Sequence, residues 1–149
     1  MDRVDRFFRD YVAAFNQALG PQPDPDRLRT FYADAFLVAD PHGAQVGHND
    51  ETFARTLEKK FAFYRAIGTR RMRLVRIDRT PIDALHEMAR VRYGAEYVRE
   101  AGEAISVEFD VTYLLEHREG RTRIFAFVAG DELALFRELG LVDEAGNPT

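Results

Sequence analysis

The chain has 149 residues, 46% of them hydrophobic and 31% charged, with a net charge of −4 at pH 7. This length and composition are typical of one soluble globular domain with its own core and argue against an intrinsically disordered chain. The absence of cysteine excludes disulfides, thiolate catalysis and Cys-based metal sites. No basic excess suggests nucleic-acid binding, and no apolar run approaches the roughly 20 residues of a membrane span. Because the N-terminal residues 1–5 do not resemble a signal peptide, we expect a cytoplasmic protein that contacts neither nucleic acid nor membrane.

Apolar residues at helical spacing dominate the first half of the chain. A first amphipathic helix is predicted over residues 4–19, and Gly20-Pro21 ends it. A short second helix begins at Pro25 behind the N-cap Asp24. A third helix begins after Asn49 or Asp50, and Gly68 ends it. Between the second and third helices, residues 35–40 predict a strand, and residues 45–46 predict a partner strand that pairs back to it.

After Gly68 the apolar period changes from helical to two, the period of β-strands. Four long strands are predicted over residues 72–79, 87–99, 105–117 and 122–129. The short turns between them imply an antiparallel meander. A last helical piece is predicted over residues 132–139, followed by a polar tail at about 140–149.

Helices followed by a run of strands predict an α+β fold in a single domain over residues 1–149. We expect a strongly curved antiparallel sheet that forms a conical barrel around the N-terminal helices. Such a cone leaves a pocket that is open at one end.

The last predicted strand is apolar on both faces. Ile124, Ala126 and Val128 alternate on one face, and Phe125 and Phe127 alternate on the other. Something besides the helices must then cover the outer face. The terminal helix and a second subunit are the two candidates for this cover. We predict the second, a homodimer through the outer face of the sheet with Phe125 and Phe127 at the interface.

A carboxylate at the end of the first strand is the leading candidate for chemistry. The apolar run from Phe36 ends on Asp40, and Pro41-His42-Gly43 then forms a strong turn signal. Asp40 therefore lies at the rim of whatever the strand covers. Making the turn is an alternative role for this side chain.

Three stretches carry a resemblance to a known group of proteins: residues 11–16, residues 31–43 and residues 109–113. They resemble the nuclear transport factor 2-like superfamily, and within it ketosteroid isomerase and the polyketide-cyclase-like (SnoaL-like) proteins. The resemblance implies the same conical α+β fold. That fold also occurs in ligand binders and interaction modules, so it leaves the function open.

The resemblance also implies site residues. Asp40 matches the general base of the isomerase, Tyr11 its oxyanion-hole tyrosine, and Asp110 its protonated second donor. The implied reaction is proton abstraction next to a carbonyl, with Tyr11 and neutral Asp110 donating hydrogen bonds to the enolate oxygen. The resemblance is weaker at Thr112 and Leu114, where the family tends to carry aromatic residues.

Plain strand alternation gives a different position for Asp110. Residues 105, 107, 109, 111, 113 and 115 are all apolar or aromatic and share one face, while Asp110 lies on the other face with Ser106, Glu108 and Thr112. Alternation therefore predicts Asp110 in solvent, whereas the resemblance requires it in the pocket. Both placements stay open at this point.

The predicted ligand-binding residues combine apolar walls with a few polar groups, as small-molecule sites usually do. They are Tyr32, Phe36, Val38, Phe61, Tyr64, Tyr93, Tyr97 and Thr112. No metal or cofactor is expected, because His42, His48 and Asp40 match no metal-binding spacing.

We therefore predict a pocket protein for a small, largely apolar carbonyl-containing or aromatic molecule. Isomerase or cyclase chemistry through Asp40, Tyr11 and Asp110 is one form of this function. Three alternatives stay open: a binder without turnover, an interaction module that uses the outer sheet face, and a hydrolase that uses a positioned carboxylate and water.

Overall fold

A computed structural model describes residues 2–149 of the chain as four helices and six strands. The helices are α1 (Arg3–Leu19), α2 (Pro25–Arg29), α3 (Glu51–Ala66) and α4 (Glu132–Glu138). The strands are β1 (Tyr32–Asp40), β2 (Gly43–His48), β3 (Thr69–Pro81), β4 (His86–Val98), β5 (Ala104–Arg118) and β6 (Arg121–Val128). The predicted order of elements and the α+β class are confirmed. Among residues 2–149, no helix is long and apolar enough to cross a membrane.

Aspartates at the N-caps define where the helices begin. The side chains of Asp2, Asp24, Asp50 and Asp131 each accept a hydrogen bond from a backbone N–H in the first turn of their helix. Each cap satisfies a donor that the helix itself leaves unpaired. The two aspartates at predicted starts, Asp24 and Asp50, are therefore confirmed as caps.

The six strands form one curved, open sheet in the order β2-β1-β6-β5-β4-β3. The predicted meander is confirmed, because β3, β4, β5 and β6 pair with their sequence neighbours in antiparallel fashion. The expectation of a wholly antiparallel sheet is wrong at one seam, because β1 pairs with β6 in parallel. This seam brings the first strand of the chain beside the last.

Helix α1 lies against the concave face of the sheet. Phe8 is fully buried, and its ring centroid lies 5.0 Å from that of Tyr113 on β5. Farther along the helix, the Asn16 side-chain amide donates to the carbonyl of Met72 and accepts from its N–H, both at 2.8 Å. These two bonds fix the end of α1 against β3. The side chains of α1 between Phe8 and Asn16 on the same side of the helix therefore face the interior of the cone.

A β-bulge in β6 changes which way its side chains face. Leu114 pairs with Ala126 and Leu115 with Ile124, so Phe125 is an extra residue in the ladder. A bulge shifts alternation by one position. Phe127 therefore packs inward near Tyr113, with ring centroids 6.1 Å apart. The expectation that Phe125 and Phe127 share the outer face is wrong for Phe127.

The outer face of the sheet carries two kinds of surface. Charged residues pair across β3, β4 and β5, as in the contact of Arg92 with Glu108 at 2.8 Å. Toward β2 the face becomes apolar, and the register places one row of directly opposed residues across five strands: Val46, Leu37, Ala126, Leu114 and Met88. A homodimer through this face stays a prediction.

An ion cluster around the buried Glu87 and His117 lies where β3, β4 and β5 meet the start of α1. Glu87 is 7% exposed and accepts hydrogen bonds from Arg79 at 2.7 and 3.1 Å. His117 Nε2 lies 2.7 Å from the same carboxylate, so Nε2 carries a proton, because a carboxylate can only accept. Thr122 contacts the other ring nitrogen at 2.8 Å, and Arg79 also reaches Asp2 at 2.6 Å. The cluster joins the sheet to the N-cap of α1.

The C-terminal segment is packed rather than a polar tail. Leu141 and Val142 are 2% and 4% exposed and belong to the core. The Arg99 guanidinium donates to the carbonyls of Leu139 and Gly140. These contacts hold the end of α4 against the sheet, and the prediction of a polar tail from residue 140 is wrong for these two residues.

Candidate functional site

A cavity of about 390 Å³ opens between the concave face of the sheet, α1, α3 and α4. Its size is in the lower part of the range of about 300–1,000 Å³ found for small-molecule sites. Ten of its lining residues are aromatic: Tyr11, Phe15, Tyr32, Tyr64, Tyr93, Tyr97, Phe109, Tyr113, Phe127 and Phe136. All six tyrosines of the chain are among them. The walls are therefore apolar surfaces that carry phenolic hydroxyl groups.

Four of these tyrosines form a buried hydroxyl cluster. The hydroxyl oxygens of Tyr11 and Tyr32 lie 2.9 Å apart, and those of Tyr93 and Tyr113 lie 2.8 Å apart. The side chains come from α1, β1, β4 and β5, and the two pairs adjoin, because the ring centroids of Tyr11 and Tyr113 lie 6.3 Å apart. Burial raises the pKa of Tyr11, and it raises the pKa values of Tyr32, Tyr93 and Tyr113 well above the ordinary 10. The four phenols are therefore neutral at physiological pH and act as hydrogen-bond donors.

The start of α4 supplies charged groups at the cavity. The Glu132 carboxylate accepts the Tyr64 hydroxyl at 2.7 and 2.9 Å. Burial and this carboxylate together raise the pKa of Tyr64 well above its ordinary value. Asp131 contacts His42 at 3.0 Å, and Lys60 Nζ lies 5.7 Å from the centroid of the Tyr64 ring. Glu132, Asp131 and Lys60 all line the cavity.

Asp40, the predicted general base, is exposed at the turn between β1 and β2. Its carboxylate accepts the backbone N–H of His42 at 2.8 Å. Asp40 does not line the cavity. The structure thus places it in the turn-making role that the sequence left as the alternative.

Asp110 borders the cavity between Phe109 and Val111, but its carboxylate lies on the outer face of the sheet. It contacts Arg90 at 2.9 Å and Arg92 at 3.2 Å. Hydrogen bonds from Arg90, followed by the charges of both arginines, lower the pKa of Asp110. An ionised carboxylate is an acceptor only, so it cannot be the protonated donor that the resemblance implies. Plain alternation predicted this placement correctly.

The other predicted residues divide into two groups. Tyr11, Tyr32, Tyr64, Tyr93 and Tyr97 line the cavity. Four predicted ligand-binding residues do not: Phe36, Val38, Phe61 and Thr112. Phe36 and Phe61 are buried in the core, Val38 packs against it, and Thr112 pairs with Arg90 and Val128. The structure therefore brings the tyrosines together and separates them from Asp40 and the Asp110 carboxylate.

Sequence reasoning missed Tyr113 and Glu132 as cavity residues. Tyr113 belongs to the alternating inner set of β5, so the same alternation that placed Asp110 outside also indicated Tyr113 inside. Glu132 carries no comparable signal. It follows a helix cap, and only the path of the chain after β6 brings it to the cavity. Among residues 2–149, no group of three or more His, Asp or Glu side chains is arranged to hold a metal ion.

Comparison with solved structures identifies similar folds. A ketosteroid isomerase-like protein from Erwinia carotovora atroseptica is 18% identical, with a TM-score of 0.62 over 85% of this chain and 92% of that one. An NTF2-like protein with a cystatin-like fold from Novosphingobium aromaticivorans is 13% identical, with a TM-score of 0.66 over 91% and 85% of the two chains. An NTF2-like protein of unknown function from Shewanella oneidensis is 16% identical, with a TM-score of 0.63 over 86% and 96%.

At these identities the likeness establishes the fold alone. No curated protein gives a significant match to the chain. The model of one sequence family, described as "NTF2-like protein (DUF6841)", matches residues 2–132. That span runs from the N-cap of α1 to the first residue of α4 and contains all six strands. The chain therefore belongs to the NTF2-like family DUF6841, and the predicted superfamily is confirmed.

Proposed function

We propose that the protein binds a small, largely apolar ring compound that carries one acceptor oxygen, such as a carbonyl or a phenolate. The cavity volume suits a molecule of one or two fused rings, and its aromatic walls favour an apolar body. The observation that carries this proposal is the buried cluster of Tyr11, Tyr32, Tyr93 and Tyr113.

A count of protons in the cluster supports the acceptor oxygen. Four hydroxyls carry four protons, and the two hydrogen bonds within the cluster use two of them. Even a third bond, between Tyr11 and Tyr113, would leave one proton without an acceptor among the four hydroxyls. Buried polar groups are usually hydrogen-bonded, and an unsatisfied donor is costly. A ligand oxygen placed against the cluster would accept that remaining proton.

Titration with a series of substituted naphthols tests this proposal. We expect the bound naphthol to ionise at lower pH than the free one, because O–H donors stabilise the phenolate more than the phenol. Tyr113→Phe should weaken phenolate binding by roughly ten- to a hundredfold, the equivalent of about one hydrogen bond to a charged group. Absorbance or fluorescence distinguishes bound phenol from bound phenolate.

Tyr64→Phe is the matched control, since its hydroxyl contacts Glu132 rather than the cluster. This variant should retain the lowered pKa of the bound naphthol. The proposal is wrong if no naphthol binds, or if Tyr113→Phe and wild type bind the phenolate equally well.

A second candidate function is the isomerase or cyclase chemistry implied by the resemblance, with a different base. The favouring observation is a carboxylate, Glu132, that lines the same cavity as the tyrosine donors. In this reaction Glu132 takes a proton from the carbon next to a ligand carbonyl. The carbonyl becomes an enolate, and its oxygen accepts hydrogen bonds from the tyrosine cluster.

Deuterium exchange into β-tetralone, a two-ring ketone, tests this candidate by NMR. Wild type should exchange the protons next to the carbonyl faster than buffer, and Glu132→Gln should slow the catalysed exchange by about 100-fold or more. Glu138→Gln, an exposed change on the same helix, should exchange as wild type does. Loss of exchange in Asp40→Asn, with Glu132→Gln still active, would assign the base to Asp40 and contradict this candidate.

A further inference from the structure

The Glu132 carboxylate lacks a positively charged partner at the cavity. Its partner is the neutral hydroxyl of Tyr64, whereas the neighbouring Asp131 is paired with His42. Within residues 2–149, no lysine, arginine or histidine forms an ion pair with Glu132, although fifteen ion pairs occur elsewhere. The cavity therefore carries an exposed acidic residue whose charge nothing in the described chain neutralises at close range.

Aromatic rings surround the same part of the cavity. Phe136 meets Tyr64 and Tyr97 edge to face, with ring centroids 6.3 and 5.9 Å apart. The face of an aromatic ring attracts cations, and the attraction strengthens when water is excluded. The structure already holds a cation on one of these rings, because Lys60 Nζ lies over Tyr64. Lys60 is exposed, so a ligand cation can displace its ammonium group from the Tyr64 ring.

We propose that this part of the cavity, formed by Glu132, Tyr64, Tyr97 and Phe136, takes a protonated amine. The ammonium group donates a hydrogen bond to Glu132, and its carbon stem packs on the three rings. This inference rests on the proposed ligand-binding function and adds an amine to the ring compound described there. In this inference Glu132 binds the ammonium group and does not act as a base. The inference therefore does not require the isomerase or cyclase reaction.

The charges at the cavity favour a cation over the other polar groups. An alcohol can donate to Glu132, but it gains nothing from the aromatic faces and leaves the carboxylate charge unbalanced. An anion would meet Glu132 and Asp131, with Lys60 as the one basic residue that lines the cavity in residues 2–149. A protonated amine is the group that both the carboxylate and the rings attract.

Three probes of one shape but different charge test the proposal: naphthylmethylamine, naphthylmethanol and naphthoate. At neutral pH we expect wild type to bind the amine about tenfold more tightly than the alcohol. Glu132→Gln should remove that preference, and the exposed Glu138→Gln should keep it. Calorimetry or the fluorescence of the naphthyl group measures each affinity, and circular dichroism verifies that each variant is folded.

Lys60→Gln provides an independent test on an exposed residue. Removing its positive charge should strengthen amine binding and weaken naphthoate binding. The inference is overturned if wild type binds the alcohol as tightly as the amine, if the preference survives in Glu132→Gln, or if Lys60→Gln weakens amine binding. Tight binding of the alcohol without any amine preference would leave the proposed function standing, whereas failure of all three probes would overturn both.

Discussion

Replacing Glu87 by alanine is expected to lower the free energy of unfolding by about 2–4 kcal/mol, because it leaves the buried His117 and the partly exposed Arg79 without their carboxylate. Arg79 would lose two hydrogen bonds, and the buried His117 would lose the acceptor for its Nε2 proton. Asp2 would then remain as a contact of Arg79. Urea unfolding followed by circular dichroism measures the effect. The matched control is Glu96→Ala on the same strand, because Glu96 makes only an exposed 4.0 Å pair with Arg71, worth about 0–1 kcal/mol.

The same carboxylate makes part of the stability depend on pH. Burial alone would raise the pKa of Glu87, but hydrogen bonds from Arg79 and His117 outweigh it, so its pKa lies below the usual 4.5. A lowered folded-state pKa stabilises the protein above the unfolded value, and this stabilisation is lost as the pH falls through the folded-state pKa. The difference in unfolding free energy between wild type and Glu87→Ala should therefore be largest above pH 4.5 and should decrease as the pH falls below that value. A difference that stays constant or grows as the pH falls would contradict the role assigned to this ion cluster.

Gly68→Ala is expected to cost about 3–4 kcal/mol, the sum of a strained backbone and a collision that the structure cannot relieve. Gly68 follows α3 with a φ of 91°, in the region that favours glycine. A Cβ there would collide with the carbonyl oxygen of Val98, whose N–H also donates to the Gly68 carbonyl at 2.9 Å. Because the obstacle is backbone, no side-chain rotation removes it.

Gly102→Ala separates the two contributions. Gly102 has nearly the same φ, 95°, but no atom lies within 4 Å of a Cβ built there. Gly102→Ala should therefore lower the free energy of unfolding by only about 1 kcal/mol, which is the contribution of backbone strain alone. Thermal or urea unfolding of both variants gives the comparison. Equal losses in the two variants would show that β4 moves away from the new methyl group and that the collision contributes little.

Local sequence patterns were sufficient to predict the order of the helices and strands and several of the residues that begin or end them. Asp24 and the pair Asn49-Asp50 predicted the starts of α2 and α3, and Gly68 predicted the end of α3. Each of these features depends on neighbours in sequence. Alternation also placed Asp110 outside, and here it was more reliable than the family resemblance, because the ladder with β4 fixes which residues face Arg92.

Features that depend on contacts between residues far apart in the sequence could not be predicted from local patterns. The bulge at Phe125 arises from how β6 pairs with β5, and a shift of one residue turned Phe127 inward. Asp40 does not line the cavity, because its carboxylate accepts the backbone N–H of His42 within the β1–β2 turn. Glu132 reaches the cavity only because α4 folds back and Arg99 holds its far end. A single sequence without its pairing partners carries none of this information.

The wall that α4 contributes lies almost wholly beyond the span shared by the family. The family match ends at residue 132, while Leu135 and Phe136 also line the cavity. The tyrosine cluster, by contrast, lies entirely inside the matched span. The cavity is thus lined partly by residues inside that span and partly by α4 residues beyond it. Substitutions at Leu135 or Phe136 would therefore change the shape of the cavity without altering any strand of the sheet.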